Sequence, residues 1–204
     1  MLLSNLAIRF STFIASLSVY NSQMERAQDP LSVHNEGTID EFKAEAGLML
    51  SDILTVQTSA SIFFSYARDT RIGELLEKEG AEITILAPTN KAVMALARKP
   101  HQGPTPIDDG IVITEKEFDI RSRENVERWI TAHIVPDRLG QFTPSRTYET
   151  LLDGVTFTVQ SKNDESSKGA LDWLDAILNG NISIVNKVEA KNGILYLLDG
   201  ALYG

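Results

Sequence analysis

The chain has 204 residues, 43% of them hydrophobic and 23% charged, the length and apolar content of one globular domain plus a tail or targeting segment. Its formal charge of -9 and pI of about 4.8 set it against phosphate backbones and anionic lipid surfaces, so nucleic acid is not an expected partner. The lack of cysteine excludes disulfides, thiolate zinc sites and cysteine nucleophiles, and leaves the compartment open.

Residues 1–23, MLLSNLAIRFSTFIASLSVYNSQ, carry one Arg, many Ser, no acid and an apolar stretch from Phe10 to Val19. A signal peptide or targeting leader is expected, although Arg9 has apolar residues on both sides, Leu6 to Ile8 before it and the Phe10 to Val19 stretch after it. A mitochondrial presequence would account for the Arg, the serines and the missing acids, but on a single basic residue. No run in the chain reaches roughly 18 apolar residues, and no apolar tail follows the final ALYG. Neither a stable membrane span nor a C-terminal lipid-anchor signal is therefore expected. Residues 24–47 are polar and lack clean periodicity, as in a mobile leader or a loosely docked N-terminal arm, so the domain proper is placed at 48–204.

Within that domain, Ile62, Phe63, Tyr66 and Ala67, then Ile72, Leu75 and Leu76, recur at the three-and-four spacing of amphipathic helices, with Gly80 as a C-terminal cap. Ile83 to Ala87 is a short β-branched apolar run that predicts a strand buried on both faces. After the Pro88 break, Thr89 or Asn90 is placed to cap a helix facing inward through Val93, Leu96 and Ala97. ARKPHQGPTPIDDG, residues 97–110, predicts a surface loop. A helix from about Arg123 to Ile134 follows, its stripe formed by Val126, Trp129, Ile130, His133 and Ile134, with Pro136 stopping it. Asp153-Gly154 and Asn192-Gly193 each lie between strand-like runs and predict tight primed turns. Between them SKNDESSKG predicts a solvated loop, and the stretch around Leu171, Trp173, Leu174 and Ile177 a short helix or docked insertion. Helices followed by paired strands give an α+β arrangement of antiparallel pairs.

ITILAPTNKAVMAL, TAHIVPDRL, TLLDGVTFTV and ISIVNKVEAKNGILYLLDGAL, in this order and approximate spacing, resemble the fasciclin domain over about residues 48–204. The first and last look like the two blocks by which that family is known, and the middle one like its tyrosine-histidine segment. The layout is most similar to compact single-domain fungal members. The resemblance implies a wedge of mainly antiparallel β-strands flanked by several α-helices, in secreted, vacuolar or surface-attached proteins of adhesion and matrix contact. It implies no enzyme and no cofactor. The family-motif positions are Ala87, Pro88, Thr89, Asn90, His133, Asn186, Asn192, Gly193 and Asp199. Two departures matter: Ala132 stands where many members have Tyr before His133, and Val188 and Glu189 replace the Asp-Ile pair that follows Asn-Lys in integrin-linked animal members. Integrin recognition by that route is not expected.

Other candidate sites have plainer readings. His133 lies on an apolar stripe and is expected to be a core histidine with a backbone or hydroxyl partner, sensitive to pH if buried. Asp108, Asp109, Glu115, Glu117 and Asp119 lack the spacing of a calcium loop and predict a solvated acidic surface. His34, His101 and His133 form no pair at metal-ligand spacing. The strand, turn and helix of ITILAPTNKAVMAL have the outline of a nucleophile elbow, yet Thr89 is the only hydroxyl at the apex and helix capping is its expected role. Asn90 is a candidate to bond backbone groups of a neighbouring strand. Asn181-Ile182-Ser183 is a glycosylation sequon, reachable if Asn181 opens an edge strand and used only if the leader is secretory. Two functions follow as expectations: a non-enzymatic module docking on a protein or glycan surface, or a small apolar ligand held in a cavity lined by Phe157, Trp129 or Trp173. Core packing is the plainer expectation for those aromatics.

Overall fold

The computed structural model describes residues 47–103, 114–163 and 169–203. The leader, most of the arm, His34, Asp108 and Asp109 lie outside these residues. In chain order the described residues form α1 (Leu50–Val56), α2 (Ser61–Arg68), α3 (Ile72–Glu77), β1 (Ile83–Pro88), α4 (Asn90–Ala95), α5 (Glu115–Thr131), β2 (Ile134–Val135), β3 (Thr147–Glu149), β4 (Thr156–Ser161), β5 (Ala176–Leu178), β6 (Ile182–Ala190) and β7 (Gly193–Leu198), with 3-10 turns at Thr58–Ala60, Pro100–Gln102 and Trp173–Asp175. The sheet order is β2-β1-β7-β6-β5-β4-β3. Every neighbouring pair is antiparallel except β1 with β7, which run parallel from Ile83↔Gly193 to Pro88↔Leu198. The α+β expectation holds, with this one parallel pair added.

Two apolar cores explain why the central strands are buried along their whole length. Successive side chains of a strand point to opposite faces. Thus Ile83, Ile85 and Ala87 of β1, with Leu195 and Leu197 of β7, join a first core packed against α1, α2, α3 and α5 through Leu50, Leu54, Phe63, Leu76 and Trp129. Their alternates Leu86, Ile194, Tyr196 and Leu198 enter a second core drawn only from strands and their loops, with Tyr148, Phe157 and Val159 across from them. The sheet must curl over itself to build that second core. At the rim, Leu151 donates its N–H to the Ile134 carbonyl at 2.8 Å, tying the end of β3 to the opposite edge strand β2.

β6 crosses from one core to the other. Ile182 and Ile184 lie in the second core and Val188 and Ala190 in the first, although all four are even-numbered and would share a face in a regular strand. The pairing slips between Ile184↔Leu198 and Asn186↔Leu197, leaving Val185 as the unpaired extra residue of a β-bulge. The bulge reverses the strand's faces and leaves Val185 exposed.

Several sequence expectations need correction. The helix placed at Arg123 to Ile134 is α5, which starts at Glu115 because Thr114 and Glu117 form a reciprocal capping box. It ends at Thr131, so His133 lies beyond it and Ile134 belongs to β2. α3 ends at Glu77 with Lys78 as its C-cap, leaving Gly80 in the following turn, and α4 ends at Ala95, leaving Ala97 exposed beyond it. The β6–β7 turn consists of Lys191 and Asn192, since Ala190 pairs with Gly193 inside the ladder. Asp153-Gly154 closes a longer connection from Glu149 to Thr156, held by Thr150 N–H on the Val155 carbonyl at 3.1 Å, and Gly154 takes φ +76° there while Asp153 does not go left-handed. Trp173–Asp175 is the expected short helix, but Ile177 belongs to β5.

Candidate functional site

Thr89 caps α4 by accepting the Ala92 N–H on its hydroxyl at 3.3 Å, and its backbone N–H bonds the Leu198 carbonyl at 2.9 Å. The junction after Ala87 and Pro88 is therefore a helix cap joined to the β7 end. Asn90 reaches a helix start rather than a strand: its Oδ1 accepts the Ile62 N–H at 2.9 Å, and its Nδ2 donates to the Thr58 carbonyl and the Ser61 hydroxyl. The Ile62 N–H is one of the first-turn donors of α2 that has no partner within its own helix. One amide thus supplies a cap to an element 28 residues upstream.

Asn192 is fully buried and binds three backbone groups. Its Oδ1 accepts the Leu50 N–H at the start of α1, while Nδ2 donates to the Leu76 and Lys78 carbonyls at the end of α3. Gly193 beside it has no room for a side chain. A Cβ would strike the Ile83 carbonyl oxygen of β1 and sit 2.8 Å from Leu50 Cδ1. Asp199 continues the β6–β7 ladder, its Oδ1 accepting the Ser183 N–H at 2.7 Å and its own N–H donating to the Ser183 carbonyl. Asn186 sits at the bulge, where its Oδ1 accepts the Lys187 N–H and its buried Nδ2 finds no partner among the described residues.

His133 is also fully buried, against Trp129 and Phe63 with ring centroids 4.8 and 6.1 Å away. Nδ1 lies 2.7 Å from the Trp129 carbonyl, and Nε2 accepts the Leu202 N–H at 3.0 Å. This fixes the neutral tautomer with the proton on Nδ1. Burial pushes its pKa down to about 4, opposed in part by the bond to Trp129. It is a core histidine that fastens the C-terminal segment to the end of α5. Ala132, where many family members carry Tyr, is itself buried.

The remaining candidates do not converge. Trp129 packs in the first core, Phe157 stacks on Tyr148 at 5.2 Å in the second, and Trp173 lies at the margin of the second, so the three line no common cavity. Glu115, Glu117 and Asp119 are exposed on the first turns of α5, where the Thr114 N–H and hydroxyl hold the Glu117 carboxyl below its ordinary range. No group of three or more His, Asp or Glu suited to a metal occurs among the described residues. Asn181 is exposed in the turn between β5 and β6, and β6 is an interior strand, not an edge. No helix among the described residues is long and apolar enough to cross a membrane.

Sequence reasoning missed two further features. Thr84, fully buried, donates to the Asp137 carbonyl and accepts the Leu139 N–H, and the Tyr196 hydroxyl donates to the Leu139 carbonyl at 2.7 Å, so β1 and β7 together hold the β2–β3 loop. The second is an open groove of about 680 Å³ between the α2–α3 region and α5, lined by Tyr66, Arg71, Ser122, Arg123 and others. Neither has a local signal, because each depends on residues brought together from distant segments.

A sequence profile of the Fasciclin domain matches residues 58–204. A FAS1 domain-containing protein of Saccharomyces cerevisiae is 30% identical over 181 residues, covering 80% of this chain and 66% of that protein. A FAS1 domain-containing protein of Aspergillus fumigatus is 30% identical over 161 residues, covering 76% of this chain and 63% of that protein. The chain thus spans just under two thirds of the length of these relatives. A solved FAS1 domain pair from the insect cell adhesion molecule Fasciclin I aligns with 71% of this chain and 45% of its own, at 17% identity and a TM-score of 0.43.

Proposed function

The chain belongs to the fasciclin domain family, and from that premise we propose that it is a non-enzymatic interaction module of the secretory pathway, acting in cell adhesion or in cell-wall or matrix association, or in a vacuolar counterpart of these. The observation that carries the proposal is how the motif side chains are used. Asn90, Asn192, Asp199 and His133 all bond backbone groups of other segments, and the Thr89 hydroxyl caps its own helix. These residues are spent on holding the scaffold, so recognition falls to surfaces outside the motifs. Packed, separate aromatics give the apolar-ligand alternative no corresponding support.

The leader at residues 1–23 and the exposed sequon at Asn181 fit secretory passage. Purified full-length chain incubated with intact cells of its host tests the interaction reading. Saturable retention on the cell surface, with turnover of neither esters nor peptides nor glycosides, is the expected outcome. Hydrolytic turnover, or no retention on cells, walls or vacuolar membranes, would contradict it. A glycosidase-dependent mobility shift, lost in Asn181→Gln, is expected of material from the native host.

A further inference from the structure

The groove between α2 and α5 carries an inference that rests on the interaction reading and gives it a ligand class. One wall is Tyr66 and the α2–α3 connection, and the other is the middle of α5, with His101 also in the lining. The charges along it are largely matched within the protein: Arg71 pairs with Glu127 across the groove, and Arg68 pairs with Asp69. What is left over is mostly neutral. The Tyr66 hydroxyl, the His101 ring and the Ser122 hydroxyl make no hydrogen bond or ion pair among the described residues, and Arg123 offers the one guanidinium there with no partner among them.

A strongly acidic ligand would meet the Asp69 and Glu127 carboxylates, and a strongly basic one would meet Arg71 and Arg123. An extended hydrophobic peptide would find little apolar wall beyond Tyr66 and Val126. A sugar ring suits this set: its C–H face packs on an aromatic ring, while its hydroxyls both donate and accept, as required by one phenol, one imidazole, one hydroxyl and one planar guanidinium fork. The volume is that of a site for a few sugar units. We propose that this groove binds a neutral oligosaccharide, through Tyr66, His101, Ser122 and Arg123.

The test is titration of the 15N-labelled full-length chain with neutral hexasaccharides of glucose, of mannose and of N-acetylglucosamine, and with polygalacturonate as the anionic control. Saturable shifts centred on Tyr66, His101, Ser122 and Arg123 with at least one neutral hexasaccharide are expected. Tyr66→Ala should weaken binding by about tenfold or more, and Ser122→Ala by about threefold. Because Tyr66 also touches Trp129 edge-on, its truncation can disturb folding. Ser122 is half-buried and Arg123 exposed on the α5 wall, so Ser122→Ala and Arg123→Ala keep the test sharp. Shifts elsewhere, a response to polygalacturonate alone, or no response to any neutral sugar would overturn the proposal. If surface retention on cells survives Ser122→Ala and Arg123→Ala while no sugar binds, the groove assignment fails and the interaction module stands. If sugars bind in the groove while cells retain no protein, the reverse holds.

Discussion

Lowering the pH should charge His133, and the cost can be worked from its surroundings. The side chain is fully buried, its Nε2 is already the acceptor for the Leu202 N–H, and burial holds its pKa near 4 against an ordinary value of 6.5. The unfolded chain therefore takes up this proton more readily than the folded one. Stability from the neutral ring is fully present above about pH 6.5, falls as pH drops toward 4, and changes no further below that. Each tenfold rise in proton concentration within the window removes about 1.4 kcal/mol, so the whole descent removes roughly 3 kcal/mol. Between pH 6.5 and 5, above most carboxylate titration, the loss should be about 2 kcal/mol. Urea denaturation at half-unit pH steps, in parallel with His133→Gln, isolates the contribution. The variant should be less stable at pH 7 and should lose most of the slope between pH 5 and 6.5. Equal slopes in the two proteins would refute the reasoning.

Substitutions at four further positions follow from the hydrogen bonds and contacts of the scaffold and are read by chemical or thermal denaturation. Gly193→Ala must push β1 away from β7 or displace Leu50, and should cost about 3 kcal/mol or more. Asn192→Ala leaves the buried Leu50 N–H and the Leu76 carbonyl without their partner and the Lys78 carbonyl with the Ala81 N–H alone, for a loss of about 3 kcal/mol, and Asp at the same position should be no better because it cannot donate to Leu76 and Lys78. Thr89→Ala removes one cap at a cost of about 1 kcal/mol, whereas Asn90→Ala removes the α2 cap and two further bonds and should cost more, about 2 kcal/mol. Equal effects of the two would show that the Asn90 bridge contributes little.

The strand at Ile83 to Ala87 was legible because its burial on both faces removes any alternation, leaving a short run rich in β-branched and apolar residues with Thr84 as its one polar member. The capping role of Thr89 was legible for a local reason as well. The start of α5 was also written locally, as Thr-x-x-Glu at Thr114 to Glu117, but the polar face that follows it hides the helical period until Val126. What stayed hidden is non-local. The face reversal of β6 depends on a bulge set by its pairing with β7, and the sequence ISIVNKVEA alone reads as continuous alternation or none. The partner of Asn90 lies 28 residues away and those of Asn192 up to 142 residues away, so their side chains identify polar anchors without saying what they hold. The groove had no signal at all, since Tyr66, His101 and Ser122 belong to three separate segments.

The most direct measurement for a secretory interaction module is the location of a tagged full-length chain in its own host, compared with a copy lacking residues 1–23. The intact chain should reach the vacuole lumen, cell wall or medium, carrying glycan at Asn181, and the shortened one should stay in the cytosol. A cytosolic or mitochondrial intact chain would contradict it.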